Sequence, residues 1–264
     1  MTTPSSSPAS LSAKATEFLN LHRAPEILQV VNVWDAISAK TIADVPGTRA
    51  LATAGHSIAS SLGYQDGTVP LDLMIDSISR IAAATELPVS ADLDGGYGNA
   101  GETVRRAIGV GIIGANIEDR MEPLADSVAK MEAAVKAGEA EGVPFVLNAR
   151  TDAFVRGAGR DPKEVLAEAI ERGRAYLEVG ASTVFVPGLF DEDTVRALVE
   201  GIGQKRLSVI GIPGSLAPAR LQELGVARIS YGPFTQRVAL TALADTAADL
   251  LNGGVLPEGI RALN

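Results

Sequence analysis

From about residue 27 onward, short apolar runs rich in β-branched residues alternate with longer amphipathic stretches rich in Ala and Glu. This is the pattern of repeated βα units around a parallel sheet, whose strands are buried on both faces and so read as continuous apolar runs. Eight strands are predicted, at Ile27–Val33, Ala50–Thr53, Pro88–Ala91, Ile113–Ile117, Phe145–Asn148, Thr183–Val186, Leu207–Ile210 and Arg228–Ser230. Helices are predicted near Ser38–Val45, Leu71–Ala84, Glu102–Gly109, Asp126–Glu141, Pro162–Val179, Asp191–Glu200, Ala217–Leu224 and Phe234–Leu251, with an extra one over Leu11–His22 ahead of the first strand. Asp161-Pro162 supplies a cap before an N1 proline, and Gly109, Gly180 and Gly225 mark helix ends. Eight such units in 264 residues is the size of a (β/α)₈ TIM barrel, the expected α/β fold class. The rival architecture is a doubly wound open sheet, but no G-x-G-x-x-G follows the first strand and no P-loop occurs. No Pro/Ser-rich linker divides the chain, so residues 11–264 are expected to form one domain behind a flexible tail over residues 1–10.

Composition narrows the chemistry. With 46% apolar and 21% charged residues, 27 Gly and 14 Pro, the chain is neither disordered nor collagen-like. It has no cysteine, which removes thiolate nucleophiles, Cys-ligated zinc and iron–sulfur clusters. The formal charge of −9 opposes a phosphate backbone, so nucleic acid is not an expected partner. The first ten residues have neither the basic nor the apolar region of a signal peptide, and no apolar run reaches membrane-spanning length. A cytoplasmic location with no membrane partner is expected.

In a barrel of this kind the chemistry sits at the C-terminal ends of the strands. Polar residues collect there: Asn32-Val-Trp34-Asp35, Thr53-Ala54-Gly55-His56-Ser57, Asp92-Leu-Asp94-Gly95-Gly96-Tyr97-Gly98, Asn116-Ile-Glu118-Asp119-Arg120, Asn148-Ala-Arg150-Thr-Asp152 and Ser230-Tyr231-Gly232. So many carboxylates at one rim are costly unless a cation neutralises them. Asp92 and Asp94, two apart on one strand and therefore on one side, and Glu118 from the next strand are the candidate metal ligands. All-oxygen donors favour Mg²⁺, with Mn²⁺ as the other option. An isolated Asp-x-Asp is more often a solvated turn; it is the third carboxylate on the next strand that raises the metal reading.

Arg150 is the natural counter-charge and a candidate to hold a carboxylate or enolate oxygen, although it could equally form a structural salt bridge with Asp152 or Glu118. His56, between Gly55 and Ser57 at a strand end, is a candidate substrate contact rather than a metal ligand, and His22 reads as a surface residue. Trp34 is a packing residue by default and a candidate substrate contact by position. Asn32 and Asp35 are candidates for shaping the pocket floor. Gly95 to Gly98 would allow close backbone approach, or simply form a loop. For proton transfer the candidates are His56 and Tyr97, then Asp66.

Together, Asn32-Val-Trp-Asp35-Ala, Ser61-Leu-Gly-Tyr-Gln-Asp66-Gly, Val89-Ser-Ala-Asp92-Leu-Asp94-Gly-Gly-Tyr-Gly98, Asn116-Ile-Glu118-Asp119, Asn148-Ala-Arg150-Thr-Asp152-Ala and Val184-Phe-Val-Pro-Gly188 resemble the isocitrate lyase/phosphoenolpyruvate mutase superfamily. The match runs in order from about Ala24 to Pro233. The resemblance implies a (β/α)₈ barrel whose last helix is exchanged between subunits of a homodimer or homotetramer, and Mg²⁺ that chelates a small 2-oxo carboxylate. It implies direct metal contact for Asp92 and largely water-mediated contact for Asp94 and Glu118. It further implies substrate contact for Arg150, a place near the reacting group for Asp66, and backbone amides from Ala54-Gly55-His56 on the substrate carboxylate.

The departures are equally informative. The Lys-Lys-Cys-Gly-His loop of isocitrate and methylisocitrate lyases is replaced by Arg120-Met-Glu-Pro-Leu, and the longer gating loop of the mutases and phosphonopyruvate hydrolases is missing too. Pro187-Gly188 and Gly211-Ile-Pro213 stand where the lyases carry a glutamate and an Asn-x-Thr. The enolate-stabilising half of the site is kept and the bond-specific half is altered. The expected activity is therefore Mg²⁺-dependent cleavage or decarboxylation at a C–C bond of a 2-oxo or 2-hydroxy dicarboxylate. Phosphorus–carbon chemistry and a non-catalytic metabolite-binding barrel are the alternatives.

Overall fold

All eight predicted strands form, and they close on themselves. The structure, a computed structural model, describes residues 8–263. The strands β1 (Leu28–Val33), β2 (Leu51–Thr53), β3 (Val89–Asp92), β4 (Gly114–Glu118), β5 (Val146–Arg150), β6 (Thr183–Phe185), β7 (Leu207–Ile210) and β8 (Arg228–Ser230) pair in parallel in sequence order. The ring closes through Leu28 opposite Arg228, Gln29 opposite Ile229 and Val30 opposite Ser230. This is a (β/α)₈ barrel.

Ten helices accompany the strands among the described residues: α1 (Pro8–Arg23), α2 (Ala36–Ala43), α3 (Gly55–Leu62), α4 (Leu71–Ala83), α5 (Ala100–Gly109), α6 (Leu124–Ala140), α7 (Pro162–Glu178), α8 (Glu192–Ile202), α9 (Pro218–Glu223) and α10 (Phe234–Leu251). Their caps follow the sequence signals: Asp161 accepts from Lys163 N ahead of Pro162, and Asp191 accepts from Thr194 N. Gly180 and Gly225 take the left-handed conformation expected of helix stops. Gly109 does not; Gly111, at φ +99°, makes that turn instead. Of the expected tail, residues 1–7 lie outside the described residues, whereas residues 8–10 already belong to α1. No helix among the described residues is long and apolar enough to cross a membrane.

The barrel interior is polar in its middle layer. Asn148 Nδ2 donates to Asn116 Oδ1 (2.8 Å), and Asn148 Oδ1 accepts from Thr183 Oγ1 (2.8 Å), so these buried groups satisfy one another. Below them α1 lies across the N-terminal end. Its Phe18 abuts Gly114, where any side chain would strike Val146 O, and the guanidinium of the fully buried Arg228 sits 6.0 Å from the Phe18 ring centroid.

This arrangement corrects the expectation that His22 is a surface residue. It is buried, with Nδ1 2.8 Å from Phe18 O and its ring edge-on to Phe18. Helical periodicity alone could not reveal that this face of α1 plugs the barrel. Burial first, and then the charge of Arg228, pushes the His22 pKa down to about 3. Between that value and 6.5 the unfolded chain binds a proton that the folded chain refuses, so stability falls as pH drops through this window. The loss is about 1.4 kcal/mol per pH unit, or about 2 kcal/mol by pH 5. Because Asp92 titrates in the same window with the opposite sign, the His22 effect is read as a difference: urea unfolding at pH 7 and 5 is expected to show H22Q gaining about 2 kcal/mol relative to wild type on going to pH 5, and an unchanged difference would remove His22 as a source.

Candidate active site

The C-terminal ends of the strands surround a cavity of about 600 Å³. Its acidic lining is Asp66, Asp92, Asp94, Glu118 and Asp152, faced by Arg120, Arg150 and Arg156.

Asp92 ends β3, opposite Asn116. Its backbone N–H donates to Thr53 Oγ1 (2.9 Å), and its Oδ2 accepts from Gly55 N–H (2.9 Å), which fixes the carboxylate against the first turn of α3. Asp94 reaches the same place by a different route from strand alternation. It lies beyond β3 with φ +47°, and this turn brings Oδ1 beside Asp92 Oδ2: a Cβ on Gly55 would lie 3.1 Å from each. A side chain at this position would press on both carboxylates. Glu118 N–H donates to Asp94 O, so Glu118 stands level with Asp94 and above Asp92.

The electrostatics reflect this crowding. Burial, then the charge of Asp94, pushes the Asp92 pKa up to about 7 despite Arg150 and the Gly55 bond. Asp94 is also raised, by burial first, against the hydrogen bond from Tyr97. Arg150 is clamped between Glu118 Oε2 (3.0 Å from Nη1) and Asp152 Oδ1 (2.7 Å from Nε). Burial would lower its pKa, but Glu118, Asp152 and Asp92 together raise it, so its charge is held. The structural alternative for Arg150 is realised in these salt bridges, and the same side chain also lines the cavity.

The three candidate carboxylates do not converge on one point: among the described residues no three acidic or imidazole side chains enclose one. Asp92 and Asp94 crowd together, but Glu118 is committed to Arg150 and, through Oε1, to Arg120 Nε (2.8 Å). A divalent cation nevertheless fits the chemistry. With its five carboxylates ionised and its three guanidiniums charged, the cavity lining carries two uncompensated negative charges. One or two hard oxygen donors plus water is the coordination that Mg²⁺ favours. Asp92 is the direct donor this arrangement offers; Asp94 and Glu118 stand behind it.

The remaining expected site residues separate. His56 and Ala54 line the cavity, and among the described residues the buried His56 Nδ1 has no hydrogen-bond partner. Asp66 lines the outer edge. Gly55 N–H is spent on Asp92 and Ala54 N–H on Val33 O, so the open amides at this helix start are those of His56 and Ser57. Tyr97 donates its hydroxyl to Asp94 Oδ2 (2.8 Å) and faces an adjacent depression of about 720 Å³ instead; burial and then Asp94 raise its pKa, so it keeps its proton. Trp34 is not at the cavity: it packs on the core and edges a separate hollow with Ile58 and Leu62. Asp35 caps α2 through Ser38 N (2.7 Å) rather than shaping the floor, whereas Asn32 does line the cavity and ties down Tyr231 and Gly232 through Oδ1.

Two contributors carry no obvious motif. Asp119, fully buried, accepts from Met121 N (2.9 Å), Asp152 N (3.0 Å), Tyr176 Oη (2.7 Å) and Arg172 Nη1 (3.3 Å). It therefore ties the ends of β4 and β5 to α7. Strand alternation held its signal: Asp119 is out of phase with Glu118 and so faces α7, where Arg172 and Tyr176 stand four apart on one side. Arg120 and Met121, both left-handed, form the tight turn that replaces the longer loops of the resembled lyases and mutases. Gly95 lets the Arg120 side chain lie against the backbone: a Cβ there would be 2.8 Å from Arg120 Nε and would make that side chain shift.

Residues 18–251 match the family described as phosphoenolpyruvate phosphomutase. A provisionally assigned phosphonomutase from Burkholderia cenocepacia J2315 is 38% identical, with a TM-score of 0.84 over 89% of this chain and 99% of that one. Oxaloacetate acetylhydrolase in complex with its product oxalate is 26% identical, with a TM-score of 0.84 over 96% of this chain and 92% of that one. The 2-methylisocitrate lyase of Halalkalibacterium halodurans is 28% identical over 251 residues, which is 89% of this chain and 81% of the lyase.

Proposed function

The chain belongs to the phosphoenolpyruvate phosphomutase family, within the isocitrate lyase superfamily, and from that premise we propose that it is a Mg²⁺-dependent carbon–carbon lyase or decarboxylase acting on a small 2-oxo or 2-hydroxy dicarboxylate. The observation that carries this reading is the pairing of crowded, charge-excessive carboxylates at Asp92 and Asp94 with the clamped Arg150 on one cavity wall.

Asp92, with Asp94 and Glu118 behind it, would hold the cation, which when bound draws electron density from the oxygens of a chelated 2-oxo acid. The chain's own groups do the rest. The free His56 and Ser57 amides and the N-terminus of α3 favour the substrate carboxylate. Arg150, unable to lose its proton or turn away, stabilises the oxygen onto which the electron pair of the breaking C–C bond is delocalised as an enolate. His56, the only imidazole of the cavity, is the group assigned to return a proton to carbon.

The test is to incubate the protein with a panel of 2-oxo and 2-hydroxy dicarboxylates, with and without Mg²⁺, and assay release of pyruvate, glyoxylate, oxalate or carbon dioxide. Mg²⁺-stimulated release from at least one acid supports the proposal. The likeness to a provisional phosphonomutase favours phosphorus–carbon chemistry as the second reading, so phosphonopyruvate belongs in the panel, with phosphate as its signal. Binding without any turnover would leave a metabolite-binding barrel.

The same premise extends to assembly. Helix α10 is anchored at its start, where Gln236 Nε2 donates to Ser57 O and Ser61 Oγ, while Val238, Leu243 and Leu251 further along are exposed. An apolar helix left uncovered by its own barrel suits exchange with a second copy. Light scattering is expected to give a dimer or tetramer, and Val238→Glu with Leu243→Glu to shift it toward monomer; a monomeric wild type would refute helix exchange.

A further inference from the structure

We propose that Arg156 sets substrate specificity by binding the distal carboxylate of a dicarboxylic substrate whose middle carbons lie on an apolar wall. This deepens the reading above and rests on it. The cavity is divided by composition. Opposite the acidic groups stand Val155, Phe185, Pro187, Ile210 and Pro233, which offer no hydrogen bond to a second hydrated group and favour hydrocarbon. Arg156 stands at the edge of that wall.

The three cavity arginines are not equivalent. Arg150 is held by Glu118 and Asp152, and Arg120 by Glu118. Among the described residues nothing pairs with the Arg156 guanidinium, although five carboxylates line the same cavity. A surface arginine with no partner is ordinary on a neutral face. Arg156 is exposed at the cavity rim and none of the lining carboxylates among the described residues holds it, so its fork is open to a bound carboxylate.

Its backbone is not free either. Arg156 N–H donates to Asp152 O (2.9 Å), so the turn that carries Arg150's partner also presents Arg156. Glycine follows because a Cβ at position 157 would lie 2.8 Å from Ala153 O and 2.9 Å from a Val165 methyl. A fixed turn, an unpaired planar fork and a hydrocarbon-lined approach together define a receptor for a carboxylate several carbons from the chelating end.

The test is calorimetric and needs no turnover. With Mg²⁺ present, oxalate probes the chelating end alone, while 2-oxoglutarate and 2-oxopentanoate share a five-carbon chain and differ in the distal carboxylate. Wild type is expected to bind 2-oxoglutarate about tenfold more tightly than 2-oxopentanoate, the scale of one charge-assisted pair. R156Q is expected to erase that ratio and leave oxalate affinity unchanged, and R156K to restore part of it. Oxalate binding with the same ratio in wild type and R156Q would overturn the role of Arg156 while leaving the site standing. Failure of wild type to bind any of the three would overturn both.

Discussion

D92N is expected to lower kcat/KM by about 10³-fold while leaving the fold intact and, without divalent ions, more stable than wild type at pH 8. The amide matches the carboxylate in shape and can still accept from Gly55 N–H through its oxygen, but it removes the charge that the proposal places at the cation. The stability sign follows from Asp92 itself. Its carboxyl is pushed up to about 7 from 3.8, so between those values the folded chain holds a proton that the unfolded chain has lost, and stability falls as pH rises through the window. At pH 8 ionised Asp92 beside Asp94 opposes folding. Thermal unfolding in EDTA at pH 8 and pH 5 would measure this: the gain from D92N should be present at pH 8 and much reduced at pH 5. A variant with full activity would remove Asp92 from the site, and one with a lowered melting temperature at pH 8 would contradict the crowding.

D119A is expected to cost about 3–5 kcal/mol of stability, because it leaves four donors without their acceptor, one of them the buried Arg172, which then keeps only Glu168 as a carboxylate partner. The urea midpoint should fall accordingly. Activity should fall as well at temperatures where the variant is folded, since Asp119 holds the Asp152 backbone and Asp152 holds Arg150. A loss below about 1 kcal/mol would mean that water replaces this network at little cost.

The barrel was legible because parallel strands buried on both faces write continuous apolar runs, and all eight were placed to within two residues. The acidic rim was legible because strand ends carry the chemistry of this architecture. What escaped detection depended on contacts between distant residues. Helix α3 has a glycine start and three serines, a weak helical signal; Asp92, and Gln236 from the far end of the chain, tie it down. His22 is buried by the bottom of the barrel, and Trp34 turns outward at a strand end where position alone suggested the pocket. Asp94 joins Asp92 through a left-handed turn that strand alternation does not describe.

The central claim is that the paired carboxylates hold a divalent cation that in turn grips a 2-oxo acid or its analogue. Isothermal titration of oxalate into wild-type protein, with and without Mg²⁺, measures this directly. The account predicts saturable one-site binding that requires Mg²⁺ or Mn²⁺ and disappears in D92N. Oxalate binding of equal strength in EDTA, or no binding with Mg²⁺ in excess, would contradict it.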